Sequence, residues 1–244
     1  MNEPDGWTSA KAAQRHIHVQ SDMVPGRGEA LALIATLAAT CSSPRPSFLD
    51  LGCGHGDVTA ELLKVRPGAS VTMVDFSDEM LRRARERFVD NDRVSILKQD
   101  LNRGIPGALA GSRFDAAVSC FAFHHIEREN RAMLYGQIRG VLGPDGLFIN
   151  GDRIRGESPA IAAWELDAWV VWMTARVKER LGITKTPAEI RRRQLEMDEK
   201  LGDKPDSIWA MRDDLKQAGF THVDCLYKNQ VTAVIVALNQ RPGG

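Results

Sequence analysis

The stretch that decides the fold is residues 48–56, which read Phe48-Leu49-Asp50-Leu51-Gly52-Cys53-Gly54-His55-Gly56. A short apolar run of this kind is typical of a buried strand, and here it ends in three glycines at alternate positions. Residues 57–65 follow, with apolar side chains at the i, i+4 and i+7 spacing of an amphipathic helix. Glycines at such a junction let the backbone turn tightly and approach a bound molecule where a Cβ would clash. The stretch therefore predicts a strand, a ligand-binding loop and a helix.

The same alternation continues on both sides of this stretch. Further strands are predicted at 70–74, 94–97, 114–120 and 147–149, and helices at 25–39, 78–88 and 127–142. Strands that alternate with helices favour a Rossmann-like α/β fold with a doubly wound, mostly parallel sheet. Residues 207–218 then predict a helix, and residues 221–227 and 231–238 predict a hairpin that closes the sheet.

Residues 153–205 interrupt this rhythm between strands 5 and 6. One predicted helix, residues 161–177, is apolar on more than one face, which predicts that it is covered on two sides. Thr186-Pro187-Ala188-Glu189 has the pattern of a second helix start. We interpret the segment as a helical lid over a substrate of the predicted ligand site; its deletion should abolish turnover and spare the affinity for a molecule bound at the glycine loop. The predicted organisation is a single domain, 1–244, with a helical cap (1–40), a cofactor-binding core (47–150), the lid (153–205) and a C-terminal helix and hairpin (206–240).

The composition limits the classes of function. The chain has 244 residues, 43% hydrophobic, with 32 basic and 32 acidic side chains, which is the profile of an ordinary globular protein and argues against a protein that neutralises many phosphates. The most apolar N-terminal stretch, residues 30–41, is too short to span a bilayer, and no secretion signal is visible. The four cysteines are widely spaced, so neither a zinc site nor a disulfide framework is expected. A cytoplasmic location fits best.

A carboxylate follows the next predicted strand. Asp75 comes nineteen positions after Gly56, where a carboxylate can accept hydrogen bonds from both hydroxyls of a ribose. The glycine spacing is GxGxG and not the GxGxxG of dinucleotide sites, and Asp57 puts a negative charge where a pyrophosphate would lie. The pattern therefore indicates a nucleoside-containing cofactor.

Asp50 with the GxGxG loop resembles motif I of the class I S-adenosylmethionine-dependent methyltransferases, and four further segments are similar to that family's later motifs in order. These segments are Val74-Asp75-Phe76-Ser77-Asp78-Glu79-Met80-Leu81, Lys98-Gln99-Asp100-Leu101, residues 114–126 from Phe114 to Ile126, and Leu142-Gly143-Pro144-Asp145-Gly146-Leu147. The last departs slightly from the usual Pro-Gly-Gly turn at Asp145. The resemblance covers roughly residues 47–150.

The resemblance implies S-adenosylmethionine as cofactor, S-adenosylhomocysteine as product, and seven strands with the last antiparallel. It places Asp75 on the ribose, Phe76 against the adenine, Asp100 near the adenine amino group and Leu101 near the ring, while Cys53 contributes backbone contacts. The implied cofactor-binding set is Asp50, Gly52, Cys53, Gly54, Gly56, Asp75, Phe76, Met80, Asp100, Leu101, Ser119, Cys120 and Phe121.

Three residues near the carboxyl ends of strands 4 and 5 are candidates for acid–base catalysis: His124, His125 and Asp152. For each histidine, a hydrogen-bonding role at a helix entry is an equal alternative. A substrate pocket is expected at Trp164, Trp169, Trp172, His16 and His18, although the tryptophans fit a purely structural role in the core better and the histidines fit an ordinary surface segment equally well. No metal is expected, since the histidine pair has no third ligand of clear spacing.

The resulting hypothesis is methyl transfer from S-adenosylmethionine to the oxygen, nitrogen or carbon of a small molecule by in-line displacement. Alternatives are an enzyme of tRNA modification, an enzyme that alters S-adenosylmethionine itself by carboxyl transfer, an NAD-dependent oxidoreductase, and a non-catalytic cofactor-binding partner protein. Neither a nucleic acid nor a membrane is an expected partner, and a homodimer is left open.

Overall fold

The protein is described by a computed structural model that covers residues 23–239. Its centre is one sheet of seven strands: β1 (Ser47–Leu51), β2 (Ser70–Asp75), β3 (Val94–Lys98), β4 (Phe114–Cys120), β5 (Leu142–Arg153), β6 (His222–Asn229) and β7 (Thr232–Leu238). Their order is β3-β2-β1-β4-β5-β7-β6. The pairs from β3 to β5 are parallel, and β7 runs antiparallel to both β5 and β6. The predicted doubly wound sheet with an antiparallel last strand is confirmed.

Seven helices flank the sheet within the described residues: α1 (Arg27–Ala38), α2 (Asp57–Val65), α3 (Asp78–Arg87), α4 (Arg128–Val141), α5 (Pro159–Leu181), α6 (Pro187–Leu201) and α7 (Ile208–Gln217). One apolar cluster buries α1, α2 and α3 against one face of the sheet. A second cluster buries α4 and α7 against the other. The carboxyl ends of β1, β2 and β4 lie at one edge of the sheet. The strand order reverses between the neighbours β1 and β4, and ligands bind at such a reversal in doubly wound sheets.

Strand β5 is longer than the sequence predicts. The expected strand was 147–149, preceded by a turn at residues 143–146, but the strand runs over Leu142–Arg153 and the turn residues form an irregularity within it. Hydrogen bonding to β4 as far as Gly151 and to β7 as far as Arg153 keeps these residues in the extended conformation. The extension carries Asp152 and Arg153 to the edge of the sheet where β4 ends.

The insertion consists of α5 and α6, as predicted, but the part of the chain that the structure describes covers α5 on one side only. Trp169, Val170 and Met173 are buried against Ile190 of α6 in a separate small cluster. Trp164 on the opposite side is 67% exposed and Val171 is 65% exposed. The helix thus buries one narrow stripe. Leu166, Trp172 and Val177 at its margin are partly buried, whereas Trp164 and Val171 face solvent.

None of the helices within residues 23–239 combines the length and the apolarity needed to cross a bilayer.

Candidate functional site

The loop between β1 and α2 forms one wall of a cavity. Gly52 has φ +67° and a Cβ at this position would lie 2.2 Å from the Cβ of Ala122, so only glycine fits. Gly54 has φ +53°, and a Cβ built there meets nothing within 4 Å, so this glycine leaves open space at the cavity wall. The backbone N–H groups of Gly52 and Cys53 both donate to the carbonyl of Val74, 2.8 and 3.0 Å away, which ties the loop to the end of β2.

Asp75 is the last residue of β2 and lies beside this loop. Its Oδ2 accepts a hydrogen bond of 2.8 Å from Gly54 N, and its Oδ1 accepts one of 2.9 Å from Ser77 N. Burial raises the pKa of Asp75, while these backbone hydrogen bonds oppose the shift. Each carboxylate oxygen has a further lone pair. The carboxylate is therefore fixed in direction and still able to accept from two hydroxyls.

Apolar side chains form the other walls. Met80 of α3 is buried, whereas Phe76 is 46% exposed although it is a large apolar residue at the cavity wall. Phe121, directly after β4, has φ +55° and its N–H donates to Gly151 O at 2.8 Å. A non-glycine residue in this left-handed region is strained and tends to occur at ligand sites. These rings offer flat apolar surfaces suited to a base or an aromatic acceptor.

The cavity is open to solvent, and the empty space in it and at its mouth amounts to about 690 Å³. Eight of the thirteen residues predicted to bind cofactor line it, and so does one of the predicted catalytic residues, His125. The eight are Gly52, Cys53, Gly54, Asp75, Phe76, Met80, Cys120 and Phe121. Burial raises the pKa of the thiols of Cys53 and Cys120, so both are poor nucleophiles, in line with a role for backbone and packing contacts.

Five predicted cofactor residues are absent from the lining that the described residues form. Gly56 closes the glycine loop through its N–H to Cys53 O, and Ser119 donates to Leu51 O at 2.8 Å. Asp100 caps a short 3-10 turn by accepting from Asn102 N, and Leu101 is buried in the core. Asp50 is fully buried, accepts from Thr59 Oγ1 at 2.6 Å, and has its pKa raised to about 7 by burial. Direct contact of these five with a cofactor stays a prediction.

Sequence reasoning missed a group of charged residues at the cavity. The carboxylate of Asp57 is contacted by Arg27, His55 and Arg87, at 2.9, 3.0 and 3.0 Å. Burial alone would raise the pKa of Asp57, but hydrogen bonds from these three side chains hold it well below its usual value. Arg27, His55 and Asp57 line the cavity. The sequence holds one local signal for Arg27. It is a basic residue at the first position of a helix, where the helix dipole disfavours a positive charge.

The two adjacent histidines have different partners. Asp152 binds His124 twice, through the backbone N–H at 3.0 Å and Nδ1 at 2.6 Å, and both residues are buried. His125 lines the cavity, and its Nδ1 lies 2.9 Å from Oδ1 of Asp203, which follows α6. His124 and Asp152 are absent from the lining that the described residues form. Only His125, of the three predicted catalytic residues, is placed to touch a bound molecule.

The tryptophans of the insertion belong to a different part of the molecule. Trp169 donates from Nε1 to Met23 O at 3.1 Å and stacks under the guanidinium of Arg153, with Trp172 at the edge of the same cluster. Trp164 is exposed. None of the three lines the cavity as the described residues form it, so the pocket assignment finds no support there. His16 and His18 lie outside the described residues.

Ligand atoms of His124, His125 and Asp203 lie within 4.8 Å of one another, so a third potential metal ligand does exist, brought from a distant part of the sequence. Nδ1 of each histidine already faces a carboxylate, Asp152 or Asp203. Arg153 also places a guanidinium 2.7 Å from Asp203 Oδ2. With Asp152, the three side chains form two His–Asp pairs, His124–Asp152 and His125–Asp203.

Comparison with known proteins agrees with this geometry. A family model described as a methyltransferase domain matches residues 48–146. The chain is 26% identical over 210 residues to carboxy-S-adenosyl-L-methionine synthase of Aeromonas hydrophila, covering 84% of this chain and 79% of that protein. It is 35% identical over 133 residues to an uncharacterized methyltransferase of Mycobacterium tuberculosis, covering 53% of this chain and 62% of that protein.

Among solved structures, the pyocyanin biosynthetic protein PhzM superposes with a TM-score of 0.64 at 19% identity. The match covers 95% of this chain but only 59% of PhzM, so the chain spans about six tenths of that protein's length. At this identity the likeness concerns the fold.

Proposed function

Because the chain belongs to the class I S-adenosylmethionine-dependent methyltransferases, we propose that it transfers the methyl group of this cofactor to a small-molecule acceptor held near the carboxyl end of β4. The single observation that carries the proposal is the placement of Asp75 and His125 on the walls of one cavity. Asp75, the carboxylate proposed to bind the ribose, and His125, the histidine proposed to face the acceptor, can thereby contact the same bound molecule.

The cavity residues fit the cofactor. Asp75 would hold the ribose hydroxyls, Phe76 would lie against the adenine, and the open space at Gly54 would admit the amino-acid portion. Arg27, His55 and Arg87 all contact the single carboxylate of Asp57. Because one carboxylate is shared among three groups, Arg27 is suited to bind the carboxylate of the cofactor as well. When bound, the cofactor supplies an electrophilic methyl group on a sulfonium.

The chain's own task is then to orient the acceptor and exclude water. A nucleophile held in line with the carbon–sulfur bond at roughly 3 to 3.5 Å gains most of its rate from positioning. Phe121 and Leu31 supply apolar surface in the cavity that His125 also lines. If the nucleophile carries a proton, His125 takes it, because His124 and Asp152 are occupied with each other.

A small acceptor is favoured over a nucleic acid. The chain has no excess of basic residues, and the triplet Arg191-Arg192-Arg193 is partly neutralised by Asp167 and Glu196. All residues of the insertion are described, and none of them lines the cavity. We propose that the insertion restricts the access of large molecules to the cavity.

Carboxyl transfer to the cofactor's methyl group is a second candidate. It is favoured by the Aeromonas synthase, whose match extends over most of both chains. The two reactions give different products, because methyl transfer yields S-adenosylhomocysteine and carboxyl transfer yields a heavier S-adenosylmethionine. Mass spectrometry of the cofactor after incubation with a metabolite extract separates them.

The cofactor assignment is tested by the Asp75→Ala variant, with Asp78→Ala as the matched control. Asp78 is exposed and pairs with Lys98. Loss of two hydrogen bonds to a charged group, each worth about 1.5 kcal/mol or more, should weaken S-adenosylhomocysteine binding at least about a hundredfold in calorimetry. The control should bind as the wild type does. A loss below about threefold for Asp75→Ala refutes the ribose assignment, and tighter binding of NADH than of S-adenosylhomocysteine refutes the cofactor class.

A further inference from the structure

We infer that the outward face of α5 binds a second copy of this chain, with the two α5 helices packed antiparallel about a twofold axis at Ala168. The face is a stripe of apolar residues, Ile161, Trp164, Ala168, Val171 and Ala175. Their spacing alternates between three and four residues, which is the repeat of helices that pack along each other. The inference concerns an interaction surface and does not depend on the proposed reaction.

The stripe is exposed although it is apolar. Trp164 is 67% exposed, Val171 65% and Ile161 48%. Trp169 and Met173, which pack in the cluster with α6, lie on the opposite side of the helix. Within residues 23–239, no element covers Trp164 or Val171. A contiguous apolar patch that contains an exposed tryptophan is typical of a protein interaction site.

The sizes of the side chains favour an antiparallel pair. The larger ones, Ile161 and Trp164, lie in the amino-terminal half of the stripe, and the smaller ones, Val171 and Ala175, lie in the carboxyl-terminal half. With Ala168 on the axis, Ile161 of one copy meets Ala175 of the other, and Trp164 meets Val171. Large side chains then face small ones, and the helices can approach closely at Ala168. A parallel pair would put the two tryptophans against each other and leave a gap at Ala175.

The charges beside the stripe favour the same arrangement. Glu157 precedes α5, and Lys178 lies near its carboxyl end. Both are exposed, and neither has an ion-pair partner among the described residues. Glu157 lies eleven positions before Ala168 and Lys178 ten positions after it, so antiparallel packing brings the two together across the interface. Glu179, which follows Lys178, is already bound to Arg176.

By symmetry two Glu157–Lys178 pairs form in each dimer. A parallel pair would instead bring each charge against its own copy, which is repulsive. Size and charge therefore select the same arrangement independently of each other.

The extent of the stripe sets the strength of the dimer. From Ile161 to Ala175 it is about 21 Å long, at about 1.5 Å per residue. A single helix pair of this length is expected to bury less than the roughly 1,200 Å² of a standard interface, so the dimer should be reversible, with a dissociation constant in the micromolar range. Trp164 should supply much of the binding, because tryptophan is enriched among the residues that dominate interfaces.

The dimer is tested by sedimentation velocity of the full chain at about 1 to about 200 µM, a range that spans the expected dissociation constant. The average mass should rise from that of one chain towards that of two. Trp164→Glu should weaken association at least about a hundredfold, because each dimer loses the tryptophan twice. The matched control is Trp209→Glu, since Trp209 is 55% exposed on α7, outside the stripe, and this variant should associate as the wild type does.

The ion pairs are tested by charge exchange. Glu157→Lys and Lys178→Glu should each weaken association about threefold or more, and the double variant should restore it, because the exchanged pair attracts again. Failure of the double variant to recover would contradict the pairing of these two residues.

The antiparallel arrangement is tested by single added cysteines under mild oxidation. Ala168→Cys should form a cross-linked dimer, because this position meets its own copy at the axis. Ala175→Cys should not, since its two copies lie about 21 Å apart in the antiparallel pair. The wild type, in which Cys41 and Cys225 are partly exposed, gives the background. Cross-linking of Ala175→Cys above that background would contradict the antiparallel arrangement.

The remaining outcomes also decide the matter. At the lowest concentration Trp164→Glu should have the Tm of the wild type within about 2 °C, because the side chain is mostly exposed. A wild type that stays a single chain at every concentration overturns the inference. If Trp164→Glu then lowers Tm, residues 1–22 of the same chain cover the stripe, and if it does not, the stripe is solvated. Equal association of Trp164→Glu and the wild type would place the contact elsewhere.

Discussion

Replacing Asp50 by asparagine should remove a pH dependence from the stability of the cofactor-free protein. Asp50 is fully buried at the end of β1. Its Oδ2 accepts from Thr59, whereas Oδ1 has no hydrogen-bond partner among the described residues. An ionised carboxylate is costly in such a place, and burial raises the pKa of Asp50 to about 7. Asparagine has nearly the same shape, can still accept from Thr59 and carries no charge.

The magnitude follows from the difference between the folded and unfolded pKa. The carboxyl titrates at 3.8 when unfolded and at about 7 when folded, a difference of about 3 units or about 4 kcal/mol. Between these values the folded state binds the extra proton. The proton on Asp50 therefore stabilises the folded state fully below about pH 4. This stabilisation declines by up to about 1.4 kcal/mol per pH unit and is lost above about pH 7.

The assay is urea unfolding at pH 5, 6, 7 and 8 without cofactor. The free energy of unfolding of Asp50→Asn minus that of the wild type should rise by about 3 kcal/mol from pH 5 to pH 8. Taking the difference cancels other titrating groups. Asp92→Asn is the control, since the Asp92 side chain is 92% exposed, and its difference from the wild type should be flat. Parallel curves for Asp50→Asn and the wild type would refute the burial argument.

Three further predictions concern packing and the turns. Gly52→Ala should abolish S-adenosylhomocysteine binding in calorimetry and lower Tm, because its Cβ would lie 2.2 Å from that of Ala122 at φ +67°; binding within threefold of the wild type would contradict this. Gln230→Gly in the β6–β7 turn should stabilise the protein by about 1 kcal/mol in urea unfolding, since Gln230 has φ +50°, and no gain would mean that the turn is unstrained. Asp206→Asn should cost about 3 kcal/mol by the same assay, because it leaves the buried guanidinium of Arg131 without its carboxylate; a cost below about 1 kcal/mol would argue against that pairing.

The sheet and the position of the cavity could be predicted because they depend on local patterns. The glycines after β1 and Asp75 at the end of β2 are placed by chain geometry alone, since the carboxyl ends of parallel strands share an edge. The choice between His124 and His125 could not be made in this way. It depends on Asp152 and Asp203, which reach the pair from other elements. The periodicity of apolar residues along one helix or strand does not predict such a contact between distant parts of the sequence.

The covering of α5 was predicted wrongly for a related reason. Apolar residues on two faces, such as Trp164 and Trp169, indicate a helix buried on both sides only if a second element is available. Within the described residues, α6 and the sheet cover only the Trp169 side.

The bridge between Ile154 and Asp206 has a consequence for how such a chain can diversify. The insertion leaves the sheet at Ile154 and rejoins it opposite the same residue, and Arg153 at its start binds Asp198 and Asp203 near its end. A loop whose ends already meet can be lengthened, shortened or exchanged at a small cost in closure entropy and without disturbing strand register. The insertion can therefore be exchanged as a unit while the sheet that carries the cavity stays the same.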